Sequence, residues 1–287
     1  MAGEYIRVRR VFRTMKRTLC VSLLVLLSAA GALAQHAPGD GAPYVDPGVD
    51  LLGHARLFLD FGDLDTMFEY VGRYDADQRL YDNQSSSLYN SVTAGAYYRI
   101  LPNLKAGLFY RMQLGARHDN DWVDSGTGWV WLDTSGRLEH VLIADLTPRF
   151  LLPFLPGASW VISAKTRYEV TIYNDEGTTV NLQSLFVRPG LTWFLIRDRE
   201  PVLNVSAQYG IYVPVNFSEN VWYQHGPYVN VLYHVIPGLS VDLGVSYQSV
   251  YWSESSQFDA AWPNNRYEQP IYRHWALDLG VIYQLDF

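Results

Sequence analysis

Charged side chains that alternate with apolar ones are the residues of this chain best placed to do chemistry. In the segment 104–117, for example, Lys105 and Arg111 alternate with Leu108 and Tyr110. Successive side chains of a β-strand point to opposite faces, so the charged residues share one face and the apolar residues the other. If such strands close into a barrel, the charged face lines the lumen, where charges are stable only when they are paired or hydrated.

The candidate lumen residues carry both signs of charge. They are Arg99, Lys105, Arg111, Glu139, Asp145, Lys165, Arg167, Glu169, Arg188, Asp242 and Asp278. Two hypotheses follow from this set. Either the charges form a paired network that fills a narrow lumen, or they line a hydrated, slightly cationic path for small solutes, anions among them. The residues that would tune selectivity in the second case are Arg99, Arg111, Arg167 and Arg188.

Ten segments of alternating pattern follow one another along the chain, each near the length of a tilted spanning strand. They lie near 53–62, 87–101, 104–117, 129–147, 159–174, 180–195, 202–215, 223–236, 239–252 and 270–287. Compact turns alternate with longer polar links, which predicts that both termini lie on the same side and that the strand number is even. The sequence therefore predicts an all-β, antiparallel up-and-down transmembrane barrel of about ten strands, with eight or twelve as alternatives. A soluble β-sandwich is the competing interpretation, and it would place the apolar face inside.

The N-terminus has the pattern of a secretory signal peptide. Six basic residues precede an apolar run from Leu19 to Leu27, and Ala32-Leu33-Ala34 offers a small-residue cleavage site. The run is shorter than the ~20 apolar residues of a spanning helix, which argues against a membrane anchor. We therefore predict a signal peptide over residues 1–34, a periplasmic linker over 35–52 and a barrel domain over 53–287.

Removal of residues 1–34 would leave an acidic chain without cysteine. The full chain has 22 basic and 29 acidic residues, and the segment 1–34 holds six of the basic residues, one acidic residue and the single cysteine, Cys20. The remaining 16 basic and 28 acidic residues give a formal charge of −12, which argues against nucleic-acid binding because little would neutralise the phosphates. Acidic pairs such as Asp119 and Asp121 could bind Ca²⁺ or Mg²⁺, but no segment has the full calcium-loop pattern. We predict neither a metal site nor a cofactor.

The C-terminal strand carries a more specific pattern. The alternation from Trp275 onward is unbroken, and it contains Gly280, Tyr283, Leu285 and the terminal Phe287 at a polar-x-Gly-x-x-aromatic-x-hydrophobic spacing. In this the chain resembles bacterial outer-membrane β-barrel proteins, whose assembly signal has this form. The resemblance implies export to the outer membrane, contact with its lipid, and insertion by the barrel-assembly machinery with periplasmic chaperones as partners.

Some barrels of this class are hydrolases, but their motifs are incomplete in this sequence. Outer-membrane aspartyl-type proteases, the omptins, use an Asp pair together with an Asp-His pair, and Asp119-Asn-Asp121 resembles only the first half. Outer-membrane phospholipases and lipid A deacylases use His-x-Ser, whereas Leu142 stands two positions after His140. A nucleophile needs its base within hydrogen-bond reach, so we do not expect an enzyme.

The function that the sequence favours is a porin-like channel for passive passage of small solutes. The alternative is a non-conducting surface barrel, an adhesin or a structural envelope protein, whose acidic and aromatic outer loops bind a surface ligand. Those loops would be 63–86 and 253–269, and the first of them could also extend its hairpin or fold inward as a constriction. An outer-membrane hydrolase is the third hypothesis.

Overall fold

The computed structural model describes most of the chain after residue 47. The described residues are 48–75, 87–115, 122–124, 129–131, 137–153, 159–175, 178–198, 200–215, 220–254 and 272–287. The chain divides into two units, residues 1–41 and residues 42–287. The first unit, which contains the predicted signal peptide, lies outside the described residues, as does most of the predicted linker.

Thirteen β-strands are described. They are β1 (Gly48–Asp60), β2 (Leu64–Asp75), β3 (Ser87–Leu101), β4 (Leu104–Leu114), β5 (Trp122–Asp124), β6 (Trp129–Trp131), β7 (Leu138–Leu151), β8 (Ser159–Asp175), β9 (Thr178–Arg197), β10 (Glu200–Pro214), β11 (Asn220–Ile236), β12 (Leu239–Glu254) and β13 (Tyr272–Asp286). Within the described ranges, no helix is long and apolar enough to cross a membrane.

Eleven of these strands close into one barrel, and β5 and β6 form a separate hairpin. The order around the barrel is β1-β13-β12-β11-β10-β9-β8-β7-β4-β3-β2, so each strand lies beside its neighbour in the sequence of barrel strands. Ten of the eleven pairings are antiparallel, and β1 pairs with β13 in parallel, from Gly48 opposite His274 to Asp60 opposite Asp286. The predicted all-β, up-and-down barrel of about ten strands is confirmed.

The predicted even number of strands is wrong, because the segment 63–86 is not a single loop. Its first part is β2, which pairs with β1 on one side and with β3 on the other. The extra strand reverses the direction of β1, and eleven strands that alternate in direction must close with one parallel pair. Gly48 and Phe287 therefore lie at opposite ends of the barrel, and β1 begins ahead of the predicted domain start at residue 53.

The predicted strand 129–147 is also corrected. Residues Trp129–Trp131 pair with Trp122–Asp124 as the separate hairpin, and the barrel strand β7 begins only at Leu138. Both segments contain alternating apolar residues, so the period of the pattern alone could not separate them.

The two ends of the barrel differ in their connections. At one, the turn end, short links join β1 to β2, β3 to β4, β7 to β8, β9 to β10 and β11 to β12. Gly238 in the last of these turns has φ +80°, in the left-handed region that glycine enters without steric cost. At the turn end the Phe287 N–H also donates to the Asp60 carbonyl at 2.9 Å, and the Phe287 ring stacks on Phe61. At the opposite end, the loop end, the strands are separated in the sequence by 76–86, 115–137, 176–177, 215–219 and 255–271, so three of these five links are long.

The barrel presents apolar side chains outward and polar side chains inward. Leu108, Leu142 and Leu279 are exposed on the outer face, whereas Arg111 and Glu139 are buried within the barrel. Alternation at period two dictates this separation, since each strand has one outward and one inward row. The outer face is therefore a continuous apolar surface, the arrangement expected of a barrel surrounded by lipid.

A small apolar cluster lies inside one side of the barrel. Met67, Phe109, Val141 and Ile143 are buried there, and Phe58 and Tyr97 pack against them. The Tyr97 and Phe109 rings meet edge to face at 4.7 Å between centroids. A Cβ at Gly107 would overlap both of these rings, which explains the glycine at that position. This part of the interior is filled.

Candidate functional site

A ladder of buried ion pairs crosses β4, β7 and β8 inside the barrel. Arg111 donates from Nη1 and Nη2 to the two carboxylate oxygens of Glu169 at 3.2 and 2.9 Å. Arg167 donates from Nε and Nη2 to Asp145 at 2.6 and 2.9 Å, and its Nη1 lies 3.4 Å from Glu169. The attraction within a bidentate pair offsets the free-energy cost of removing both charges from water, whereas either charge buried alone would be strongly destabilising.

The ladder continues toward the loop end, where the neutral side chain of Gln113 connects Arg111 to Glu139. Arg111 Nε donates to Gln113, whose Nε2 donates to Glu139 at 2.6 Å, and Glu139 also pairs with Arg137 at 2.7 Å. Tyr89 donates to Gln113 from β3 at 3.3 Å. The network therefore ties four consecutive strands of the wall together through buried groups.

The first hairpin contributes ion pairs that sequence reasoning missed. Arg73 donates to Asp50 at 2.7 Å, and Arg56 pairs with Glu69. Lys105, one of the predicted lumen residues, pairs with Asp65, which was not among them. Asp65, Glu69 and Arg73 were overlooked because β2 was interpreted as a loop, and Asp50 because it lies in the predicted linker 35–52. The usable signal was the alternation in 64–75, where Phe68, Tyr70 and Tyr74 face outward.

A second cluster lies at the parallel seam between β1 and β13. The His54 ring contacts Asp278 through Nδ1 at 2.8 Å and lies 3.6 Å from Asp242 through Nε2. Tyr228 donates to Asp278 at 3.3 Å, and Asn230 donates to Asp242 at 2.8 Å. The sequence prediction included Asp242 and Asp278 but not His54, because the parallel pairing that brings β1 beside β13 follows from barrel closure.

Space for the seam cluster comes from glycine. Gly280 lies directly opposite His54, and a Cβ there would overlap the imidazole. Gly244 plays the same part for Tyr228, whose hydroxyl would lie 2.6 Å from an added Cβ. Gly280 thus has a packing role besides its place in the predicted assembly signal, whose other members Tyr283, Leu285 and Phe287 are exposed on the outer face or at the turn end.

The candidate lumen residues fall into five groups. One network contains Arg111, Glu139, Asp145, Lys165, Arg167 and Glu169, and the seam cluster contains Asp242 and Asp278. Lys105 pairs with Asp65. Arg188 lies over the rings of Phe186 and Tyr228, with Cζ 4.8 and 5.0 Å from their centroids. Arg99 stands apart at the turn end, 3.9 Å from Asp63 and 40% exposed.

Several ion pairs in the barrel share one orientation toward solvent. The side chain of Lys165 is 30% exposed and that of its partner Asp145 is 0% exposed. The corresponding values are 28% and 11% for Arg56 with Glu69, and 26% and 12% for Lys105 with Asp65. In each pair the carboxylate lies against the wall and the cationic group is the more accessible partner. A solute in the lumen would therefore meet positive charge first at these positions.

The strands from β9 to β13 line the interior with small side chains set between larger ones such as Phe186, Arg188 and Tyr228. Their buried inward residues include Ser184, Ser206, Gly210, Gly226, Ser240, Ser246, Ala276 and Gly280. Thr192 and Ser206 hydrogen-bond to each other along this wall at 2.9 Å. The glycines of this wall make room for neighbouring side chains, since an added Cβ at Gly190 would overlap Gln208 and one at Gly210 would press on the Phe186 ring.

The residues considered for hydrolytic or metal chemistry do not assemble into a site in the described part of the chain. His140 lies on the outer face, where its Nδ1 is 2.6 Å from the Tyr110 hydroxyl. Asp119 and Asp121 lie outside the described residues. Across the described ranges no group of three His, Cys, Asp or Glu side chains is arranged to hold a metal ion.

The chain was compared with protein-family models and with curated proteins. No protein-family model matches the chain, and no curated protein matches it either.

Proposed function

We propose that the protein is a porin-like channel of the bacterial outer membrane that lets small solutes, anions preferentially, pass down their gradients. The observation that carries this proposal is the orientation of the lumen ion pairs, in which Lys165, Arg56 and Lys105 are more accessible than their carboxylates. Positive groups along a path lower the barrier for anions and raise it for cations. Arg111 and Arg167 are enclosed in bidentate pairs and are poor candidates for contact with solutes.

The size of the barrel is compatible with a narrow water-filled path. Eleven strands at ordinary spacing and tilt give a backbone radius of ~11 Å. A barrel of about eight strands is filled by its side chains, and sixteen or more leave a wide channel. Eleven strands lie between these limits and nearer to the filled one, so the proposed path is narrow.

Membrane insertion is supported by a ring of paired side chains on the outer face. Four tyrosines on strands that run toward the loop end hydrogen-bond to a polar side chain on the next barrel strand. The pairs are Tyr70 with Asn90, Tyr110 with His140, Tyr168 with Gln183 and Tyr209 with His225. Three of the four polar partners stand eleven positions before the last residue of their strand, and a tilted strand crosses the hydrocarbon core in ~9–11 residues. Tyrosine favours the membrane–water interface, so the ring fits the loop-end boundary of the bilayer.

The same account includes the predicted route of assembly. A signal peptide over 1–34 would direct export, and the motif ending at Phe287 would engage the barrel-assembly machinery after passage past periplasmic chaperones. The apolar outer face supports this route, since such a surface needs lipid or a chaperone to cover it.

One observation favours the second candidate function, a non-conducting barrel that binds a surface partner. The apolar cluster of Met67, Phe109, Val141 and Ile143 closes part of the interior. Of the predicted binding loops 63–86 and 253–269, residues 76–86 and 255–269 lie outside the described residues.

Liposome swelling separates the two functions. Vesicles that contain the purified chain should swell in isotonic solutions of small anionic and neutral solutes, and faster than vesicles with a heat-unfolded sample. A variant that lacks residues 76–86 should swell the vesicles equally well if the pore is formed by the wall. Absence of swelling from a sample that is folded by circular dichroism and heat-modifiable on gels would overturn the channel proposal in favour of the binding function.

A further inference from the structure

The first barrel strand differs from the others because it has no partner at the loop end. The other ten barrel strands form five pairs joined at that end, namely β2 with β3, β4 with β7, β8 with β9, β10 with β11 and β12 with β13. Each pair runs up to the loop end and returns, so it begins and ends at the turn end. β1 runs only from the loop end to the turn end, from Gly48 to Asp60, parallel to β13. The chain therefore enters the barrel at the loop end.

Strand directions alone do not require β1 in the wall. β1 is parallel to β13 and antiparallel to β2, so β2 and β13 run in opposite directions. These two strands could close a ten-stranded barrel with an ordinary antiparallel pair, and parallel pairing is slightly less stable per residue than antiparallel pairing. The side chains of β1 therefore decide whether the strand belongs between them.

The inward side chains of β1 are matched in charge to β2. The Asp50 side chain is 0% exposed and accepts a hydrogen bond from Arg73 at 2.7 Å. Arg56 donates from Nε to Glu69 at 2.8 Å. An acid on β1 thus meets a base on β2, and a base on β1 meets an acid on β2. Removal of β1 from the wall would leave one partner of each pair without its opposite charge, which is strongly destabilising for buried groups.

The other neighbour, β13, is shaped to receive β1. His54 Nδ1 lies 2.8 Å from the Asp278 carboxylate, and an added Cβ at Gly280 would overlap the imidazole ring. On the opposite face of β1, Leu51 and Ala55 are exposed in line with the apolar outer face. Both faces of β1 therefore fit a wall strand that lies between β2 and β13.

The connections indicate which end of the barrel faces the cell exterior. Outer-membrane barrels have short turns on the periplasmic side and longer loops on the outer side. Every link at the turn end has at most seven residues, whereas three of the five links at the loop end are long. The C-terminal Phe287 also lies at the turn end, where its N–H donates to the Asp60 carbonyl. In the proposed function the turn end is therefore periplasmic and the loop end is outside.

We propose that β1 begins on the outer side of the membrane, so that the chain directly before Gly48 is exposed at the cell surface. The proposal rests on the proposed function for the membrane and its orientation, and it does not depend on conductance. Each of the five strand pairs can insert from the periplasm with both of its ends left there, whereas the start of β1 has to be carried across. Unpaired backbone groups cannot cross hydrocarbon. This crossing therefore uses the assembly machinery or the unclosed barrel as its route.

Single cysteines report the side of the membrane on which a residue lies. Cys20 is the only cysteine of the sequence, so Cys20→Ser provides the background. In it, Gly48→Cys is compared with Asn174→Cys at the loop end and Pro237→Cys at the turn end, two positions that are exposed. A maleimide attached to a polymer too large for the lumen is added to intact cells of a double-membraned bacterial host. We expect Gly48→Cys to react to the same extent as Asn174→Cys, and Pro237→Cys to react only after the outer membrane is permeabilised.

Heat modifiability on gels establishes that each variant is folded, and a cysteine inserted directly before Gly48 takes the place of Gly48→Cys if that variant does not fold. Reaction at position 48 only after permeabilisation, with Asn174→Cys reactive in intact cells, would overturn the proposal and indicate an even number of strands. Reaction of Pro237→Cys alone in intact cells would overturn it through the reverse orientation, as would equal reaction of all three. Single-channel recording on the same variants tests the channel function separately, so a conducting barrel with an inaccessible position 48 loses the proposal and keeps the function.

Discussion

The two walls of the barrel interior are built from different side chains. Strands β1 to β4 with β7 and β8 line it with arginines, carboxylates and aromatic rings that contact one another. Strands β9 to β13 line it with serine and glycine set between single larger side chains such as Arg188, Tyr228 and Asp278. The first wall carries the apolar cluster and the ion-pair ladder, which hold neighbouring strands in register. The difference predicts that the first wall contributes more to stability than the second.

The largest loss of stability should follow from breaking the ladder of the bulky wall. Glu169→Gln removes the carboxylate that pairs with Arg111 and leaves that guanidinium buried without its charged partner, while Arg167 keeps its pair with Asp145. We expect a loss of about 3–5 kcal/mol in the free energy of unfolding. Urea unfolding in lipid vesicles, followed by tryptophan fluorescence, measures this. A loss below about 1 kcal/mol would show that the ladder is dispensable.

A smaller loss should follow from filling the space beside His54 at the seam. The added methyl group of Gly280→Ala would overlap the imidazole, and overpacking of this kind costs about 1–3 kcal/mol. His54→Ala removes the obstacle, so the double variant should be more stable than the sum of the single losses predicts. A double-mutant cycle on unfolding free energies gives the coupling. Strictly additive losses of unfolding free energy would contradict the contact between position 280 and the His54 ring.

The hydrogen bond on the small-residue wall should contribute less again. Ser206→Ala and Thr192→Val each remove the bond between the two hydroxyl groups and should each cost about 1 kcal/mol. The loss in the double variant should exceed that of either single variant by at most about 0.5 kcal/mol, because the same hydrogen bond is removed in all three. The same unfolding assay applies, and a cost near that of Glu169→Gln would erase the contrast between the walls.

The least effect is expected at the turn end, outside both walls. Arg99 and Asp63 form an exposed pair at 3.9 Å, and such pairs contribute at most about 1 kcal/mol. Arg99→Gln should leave both the unfolding free energy and the reversal potential of the channel nearly unchanged. A large shift of the reversal potential would move the selectivity determinant from the lumen to its mouth.

The fold was largely predictable because one physical pattern repeats. Each barrel strand has one apolar and one polar row, and segments such as 104–117 and 239–252 show this at period two. β2 was not predicted because both of its faces carry apolar side chains. Met67 and Val71 lie on the inward face and Phe68 and Tyr70 on the outward face, so the inward row is not uniformly polar. That single omission also caused the error in the parity of the strand count.

The partners within the site were less predictable than its members. The sequence indicates that Arg111 and Glu169 face inward, but their contact depends on the register of three strands, which barrel closure sets. His54 beside Asp278 is the extreme case, because 224 positions and the parallel seam separate them. A local pattern assigns a face to a residue and does not assign its neighbour on a distant strand.

Single-channel recording in a planar bilayer under a potassium chloride gradient tests the central claim most directly. The account predicts discrete current steps with a reversal potential displaced from zero toward the chloride equilibrium potential, and a smaller displacement in the Lys105→Gln, Lys165→Gln double variant. Absence of current from a folded, heat-modifiable barrel would contradict an open lumen. A reversal potential displaced toward the potassium equilibrium potential would contradict a lumen that presents cationic groups to solutes.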